Sequence, residues 1–148
     1  MPEKETLKRA AEDKAKGKSP STQAGEFVHE EIEHIREGKH GARSAKQAIA
    51  IGLSKARRAG VKLPAPKKGE ASKQTREQAK RDLKKGKKTA KKKPSAKRSR
   101  ATLAALKREG RSAASKTALS RQAHKSAAKR SATSRSRSAK KAAATRKK

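Results

Sequence analysis

The stretch STQAGEFVHEEIEHIREGKHGARSAKQAIAIGLSKARRAGVKLP, residues 21–64, contains nine large apolar side chains: Phe27, Val28, Ile32, Ile35, Ile49, Ile51, Leu53, Val61 and Leu63. In its first half Ala24, Phe27, Val28, Ile32 and Ile35 recur at spacings of three and four, with Glu30, Glu31, Glu33 and Glu37 on the remaining surface. That period predicts an amphipathic helix, ending at Gly38. After the link GKHGARS, Gly38 to Ser44, the run Ser44-Ala45-Lys46-Gln47 reads as a capping box. Ser44 would accept from the Gln47 amide and the Gln47 side chain would return to Ser44. A second helix then runs to about Ala59, with Ala45, Ala48, Ile49, Gly52, Leu53 and Ala56 on one narrow stripe. Small residues there allow close helix approach, and Gly60 followed by Val61, Leu63 and Pro64 predicts a stop with an apolar tail folding back. The expectation is an αα-hairpin over about 24–59, with one acidic and one basic helix. Ile35, Ile49 and Leu53 should share its interface, and Glu30, Glu33 and Glu37 should pair with Arg57 and Arg58.

Outward from the hairpin the composition thins. Residues 1–20 have helix-forming composition but Leu7 as the one large apolar side chain, so a weakly helical, fraying segment is expected there. Residues 65–97, opening with PAPKKGEA, read as a basic linker. Beyond it Lys80-Arg81 repeats Lys8-Arg9 and Arg108-Glu109-Gly110 repeats Arg36-Glu37-Gly38, both at an offset of 72. Residues 98–130 are thus expected as a degenerate second helical hairpin with Leu103, Leu106 and Leu119 as its core. Residues 131–148 lack any large apolar residue and are expected as a basic disordered tail. The fold class read from this pattern is mainly α with extensive disorder.

Leu, Ile, Val and Phe make up 14 of 148 residues, too few for one large core. The hairpin should therefore be marginal alone and gain stability by homo-oligomerisation or docking. There is no cysteine, which excludes disulfides and thiol chemistry. The N-terminus MPEKETLKRAAEDK has no apolar h-region and no window approaches a membrane span, so a soluble, cytoplasmic protein without a membrane partner is expected.

Sites for small molecules are poorly supplied. His29-Glu30-Glu31-Ile32-Glu33-His34 sets its histidines five apart, roughly 140° around a helix, which fails the H-E-x-x-H zinc motif. The trio His34, Glu37 and His40 is a geometric candidate for metal, but solvated side chains on the acidic face are the better reading, and no metal is expected. Gly86-Lys87-Lys88-Thr89 has Arg81 where a Walker loop needs its first glycine. With four histidines, no cysteine and no cavity-forming core, neither an enzyme nor a small-molecule substrate nor a cofactor is expected.

The charge is informative. The chain carries a net +32, but residues 1–37 hold nine acids against seven bases, whereas residues 38–148 hold 38 bases against four acids. From Leu83 to Lys148 Glu109 alone interrupts 25 basic residues, a density that needs a polyanion. The expected phosphate contacts are Lys84, Lys85, Lys87, Lys88, Lys91, Lys92, Lys93, Lys97, Arg98, Arg100, Lys129, Arg130, Arg135, Arg137, Lys140 and Lys141. Lys46, Lys55, Arg57 and Arg58 on the second helix form a candidate second face. With one Phe and no Trp or Tyr, base stacking cannot be the main mode, which favours duplex backbone over single-strand platforms. The resulting expectation is sequence-nonspecific binding of duplex DNA by an architectural, histone-like nucleoid protein. The alternatives are an RNA- or ribosome-associated basic protein, or an adaptor that binds a protein partner through its Glu-rich helix.

Residues 21–64, together with ALKREGRSAASKTALSRQAHKSA at 105–127, resemble a family of small, very basic, uncharacterised bacterial proteins, some of which carry labels such as histone-like or plasmid stabilisation protein. The resemblance implies a bacterial cytoplasmic protein and gives no residue a role. The segment Lys84 to Lys97 is similar in composition to the tails of bacterial proteins that look like linker histones.

Overall fold

Ser19 and Gly38 bound the helix that contributes to both apolar clusters of the molecule. In the computed structural model, which describes residues 2–87 and 95–146, helix α2 spans Pro20–Arg36. Ser19 Oγ accepts the Thr22 N–H at 3.4 Å and Pro20 occupies the first turn, where its missing N–H costs nothing. The helix ends as a Schellman motif, with Gly38 at φ 78°, the Lys39 N–H donating to His34 O at 2.9 Å and the Gly38 N–H donating to Ile35 O at 3.1 Å. Helix α3, Ala45–Ala59, starts at Ser44, whose Oγ accepts the Gln47 N–H at 3.2 Å. The return bond of the expected capping box is displaced by one residue: Gln47 Oε1 accepts from the Arg43 N–H at 2.8 Å. Gly60, at φ 104°, repeats the stop, and the tail does fold back, because the Arg57 guanidinium donates to Leu63 O and Pro64 O at 3.2 and 3.1 Å.

The α2–α3 interface is made by small residues. Ala45, Ala48, Gly52 and Ala56 are buried on α3, and a Cβ placed on Gly52 would stand 2.7 Å from Val28 Cα and 3.0 Å from Phe27 O. Backbone thus meets backbone at the crossing. Two apolar clusters flank it, and α2 contributes to both. One joins Phe27 and Ala24 to Ala10, Ala56 and Val61, with Leu53 and Leu63 at its edge. The other joins Ile32 and Ile35 to Ala42, Ala48, Ala113 and Ala114, with Val28 and Leu119 at its edge. The expected contact of Ile35 with Ile49 and Leu53 is corrected accordingly: Ile35 and Leu53 belong to different clusters and Ile49 is half-exposed, because the close approach at Gly52 leaves no room for larger side chains on the seam.

The flanking segments are more ordered than their composition suggests. Helix α1, Lys4–Ala15, buries Thr6 and Ala10 on α2, and Arg9 pairs with Glu26 at 3.0 Å, so the N-terminal segment is docked. Within the expected linker 65–97, Lys73–Gly86 forms helix α4, held to α3 by a polar hub. Asp82, 1% exposed, accepts from Ser54 Oγ at 2.7 Å, Arg58 Nε at 2.8 Å and Gln78 Nε2 at 3.1 Å. Three donors satisfy a carboxylate that burial would otherwise penalise.

The second half departs furthest from expectation. Helix α5 spans Ala96–Lys107, a 3₁₀ turn Ser112–Ala114, helix α6 Lys116–Ala128 and helix α7 Ala132–Arg146. Helix α5 buries no residue and Leu103 is 44% exposed, so the expected second hairpin with its own leucine core is not formed. Instead Ala113, Ala114 and Leu119 complete the Ile32–Ile35 cluster. The Gly41 and Ala42 N–H groups donate to Leu106 O and Gly110 O at 2.9 and 3.2 Å, and Arg36 Nε donates to Ala114 O at 3.1 Å. The echo of the first half therefore acts as a cover over the hairpin's open end. The extensive disorder expected is corrected as well, since residues 132–146 of the basic tail are helical. Alanine-rich composition favours helix even where nothing is buried. No helix among the described residues is long and apolar enough to cross a membrane.

Replacing Gly52 by Leu should lower the free energy of unfolding by roughly 2–3 kcal/mol, whereas Ile49→Ala should cost less than about 1 kcal/mol. Urea titrations followed by circular dichroism compare the two. Asp82→Ala, which strands the Ser54 and Arg58 donors, should cost about 2–3 kcal/mol and make the amides of α4 exchange ahead of those of α3 in hydrogen-exchange measurements.

Candidate nucleic-acid interface

The cations named from the sequence fall on three kinds of ground. Lys84 and Lys85 sit in the last turn of α4 with Lys87 as its cap residue, all exposed. Lys97, Arg98 and Arg100 lie on α5, and Arg135, Arg137, Lys140 and Lys141 on α7, again all exposed on helices that bury nothing. On α7 the side chains of Arg137, Lys140 and Lys141 fall within an arc of about 100°, with Arg135 on the opposite side. Lys88, Lys91, Lys92 and Lys93 lie outside the described residues. Lys129 caps α6 and is exposed, whereas Arg130 is diverted: its guanidinium donates to Ser134 O at 3.1 Å and to the Ser134 and Ser138 hydroxyls, bracing the α6–α7 junction.

Three of the four cations of the expected second face on α3 make contacts within the fold. Lys55 lies 2.5 Å from Glu31 Oε2 and 3.5 Å from Glu30 Oε1, Arg57 is buried against the Leu63–Pro64 carbonyls, and Arg58 is held by Asp82. Burial pushes the Arg57 guanidinium below its ordinary range. Lys46 and Arg58 remain exposed, Arg58 while paired with Asp82. A different group, unnamed by sequence reasoning, converges where the cover meets α2: Arg36, Arg111 and Lys116 line an open groove with Ala114 and Ser115 at the start of α6. Its signal in the sequence was the conjunction of Arg111 with a Ser115 cap, but the partner Arg36 is 75 residues away and only the fold joins them.

The acids of the first half are turned inward or matched locally. The expected pairing of Glu30, Glu33 and Glu37 with Arg57 and Arg58 does not occur. Glu33 pairs with Arg36 at 2.8 Å and Glu37 with Lys39 at 3.0 Å, while Glu30 and Glu31 are buried beside Lys55. The histidines read as solvated are half-buried in the same place. His40 Nε2 lies 3.1 Å from Glu31 Oε1, His34 Nε2 lies 2.8 Å from Glu3 Oε1, and the two rings meet edge to face at 6.2 Å. Glu3 also reaches Lys39 at 3.1 Å, and its backbone N–H donates to Glu30 Oε2 at 3.2 Å. This cluster ties the start of α1 to the end of α2.

Residues 11–68 match a family described as "Family of unknown function (DUF6496)". The match begins within α1, takes in α2, α3 and the returning tail, and stops before α4. No curated protein and no solved structure matches the chain.

Hydrogen bonds from His34 and Lys39 hold the Glu3 carboxyl below its ordinary value of 4.5. Because the folded value is the lower one, the stabilisation from Glu3 is fully present above pH 4.5 and is lost as pH falls through the folded value. The difference in urea midpoint between the native chain and Glu3→Gln should therefore be flat above that pH and shrink below it.

Proposed function

We propose that this chain is a sequence-nonspecific DNA-binding protein of the architectural, histone-like kind, acting on the bacterial nucleoid in the cytoplasm. The observation that carries the reading is the pairing of two facts about α5 and α7: they bury no residue, and they expose Lys97, Arg98, Arg100, Arg135, Arg137, Lys140 and Lys141. Helices without an apolar face have no packing reason to form, and like charges at short spacing oppose them. Phosphates supply the missing counter-charge and favour the helical state.

The folded half supports this by turning Glu30, Glu31 and Asp82 inward, so that these acids do not face a docking duplex. Helices of 12–15 residues, about 18–23 Å long, lie along the phosphate rows of a duplex, and the Arg36–Arg111–Lys116 groove adds a fixed point for one phosphate. Each Lys or Arg contact displaces a condensed counterion, which provides affinity without reading a base. The near absence of aromatic residues removes stacking as a mode. The burial of Glu30 and Glu31 weakens the reading in which the acidic helix is a surface for a protein partner.

Titrating the full chain into duplex DNA over a range of salt is the test. Engagement of about eight phosphates gives a slope of log K against log[salt] near −7, with little change on scrambling the sequence. Changing Arg135, Arg137, Lys140 and Lys141 to Gln should make the slope shallower by about 3 while leaving the α2–α3 fold intact, and Lys46→Gln should change it by less than about 1. A slope shallower than about −2, or strong preference for one site, rejects the reading, and tighter binding to RNA duplex at matched salt transfers it to RNA.

A further inference from the structure

The buried end of α2 has more negative charge than its protein neighbours neutralise. Glu30 and Glu31 have side chains 2% and 1% exposed and share one ammonium, that of Lys55, itself 24% exposed. Both oxygens of Glu31 and Oε1 of Glu30 lack a hydrogen-bond donor in acceptable geometry among the described residues. Two buried carboxylates against one ammonium leave a charge that a low-dielectric setting strongly disfavours unless a further cation is present.

The position of that cation is indicated by His40. Its Nδ1 lies 3.0 Å from Gly41 O, and since a carbonyl can only accept, Nδ1 carries the proton. In the neutral form, which is the one that binds metal, the lone pair of Nε2 then lies on the side of Glu31 Oε1, 3.1 Å away. Glu31 and His34 stand three residues apart on α2, and therefore on one face. One ligand atom from each of Glu31, His34 and His40 lies within 4.8 Å of the others. Glu3 Oε1, 2.8 Å from His34 Nε2, adds a second carboxylate at the edge of the set.

We infer that Glu31, His34 and His40 bind a divalent transition-metal ion of the Zn²⁺ class, with Glu3 at the margin of the site. Two imidazoles and a carboxylate are the donor set that such ions prefer over Mg²⁺ or Ca²⁺, which take oxygen. Metal–ligand bonds of about 2.0–2.2 Å require a modest contraction of the three side chains, which His34 and His40, 13% and 10% exposed at the rim, can provide. The Gly41 carbonyl fixes the His40 tautomer as an outer partner does in metal sites. The bound ion would join α1, α2 and the loop to α3 at one point. The site is independent of the nucleic-acid reading, since none of its residues belongs to the cationic helices.

The test uses the full chain, nuclease-treated and stripped with a chelator, titrated with Co²⁺ and then Zn²⁺ in phosphate-free buffer. One Co²⁺ per chain should bind with the strong visible absorption of a low-coordinate nitrogen and oxygen site, and Zn²⁺ should displace it and raise the melting temperature. His40→Gln and His34→Gln should each weaken Zn²⁺ binding at least about tenfold, and His124→Gln on α6 should leave it unchanged. Circular dichroism of the two ligand variants, whose rings are at the rim, establishes that they remain folded. Absence of a one-to-one Co²⁺ complex, competition by Mg²⁺ at equal concentration, or equal binding by His40→Gln would overturn the proposal, whatever the salt dependence of DNA binding shows.

Discussion

The close approach of α3 to α2 at Gly52 is the constraint on which the remaining structure depends. A chain with 14 large aliphatic or phenyl side chains cannot fill the space between two helices held at an ordinary distance. Removing the Cβ at Gly52 and lining the seam with Ala45, Ala48 and Ala56 shortens the distance instead, so that small volumes suffice. The shortening also decides where the bulky residues go. Phe27 and Ile35, the two largest fully buried apolar side chains, lie in the two separate clusters, one closed by α1 and the other by the 3₁₀ turn. The segments that complete the core are thus drawn from far along the chain.

Charge follows the same geometry. With little apolar surface available, α2 buries Glu30 and Glu31 and α4 buries Asp82, each against a cation of α3. Lys55, Arg57 and Arg58 of α3 are thereby engaged in holding the fold, whereas the basic residues of α5 and α7 are exposed on helices that carry no acid. The division between a half that buries acids and helices that carry exposed bases and no acid is what gives the phosphate-binding reading its physical basis.

The hairpin was legible because its signals are local. The three- and four-residue period of Ala24, Phe27, Val28, Ile32 and Ile35, the cap at Ser44 and the stops at Gly38 and Gly60 each act over a single turn. What was missed depends on distant pairs. Helix α4 hides in a lysine-rich stretch whose docking residue, Asp82, means nothing until Ser54 and Arg58 stand opposite it. Leu103 and Leu106 looked like a core because they stand just before the repeated Arg-Glu-Gly, yet the turn after Gly110 directs Ala113 and Ala114, not the leucines, onto Ile32 and Ile35. The acidic cluster was read from its helical surface, where Glu37 looked as available as Glu31; the loop bringing His40 back over Glu31 reverses their roles.

Hydrogen exchange of the full chain, measured alone and on duplex DNA, bears most directly on this division of labour. The α2 and α3 amides should be protected equally in both states, because packing at Gly52 holds them, and the α5 and α7 amides should exchange rapidly alone and gain protection on the duplex. Strong protection of α5 and α7 without any polyanion, or a gain on DNA confined to α3, would contradict that division.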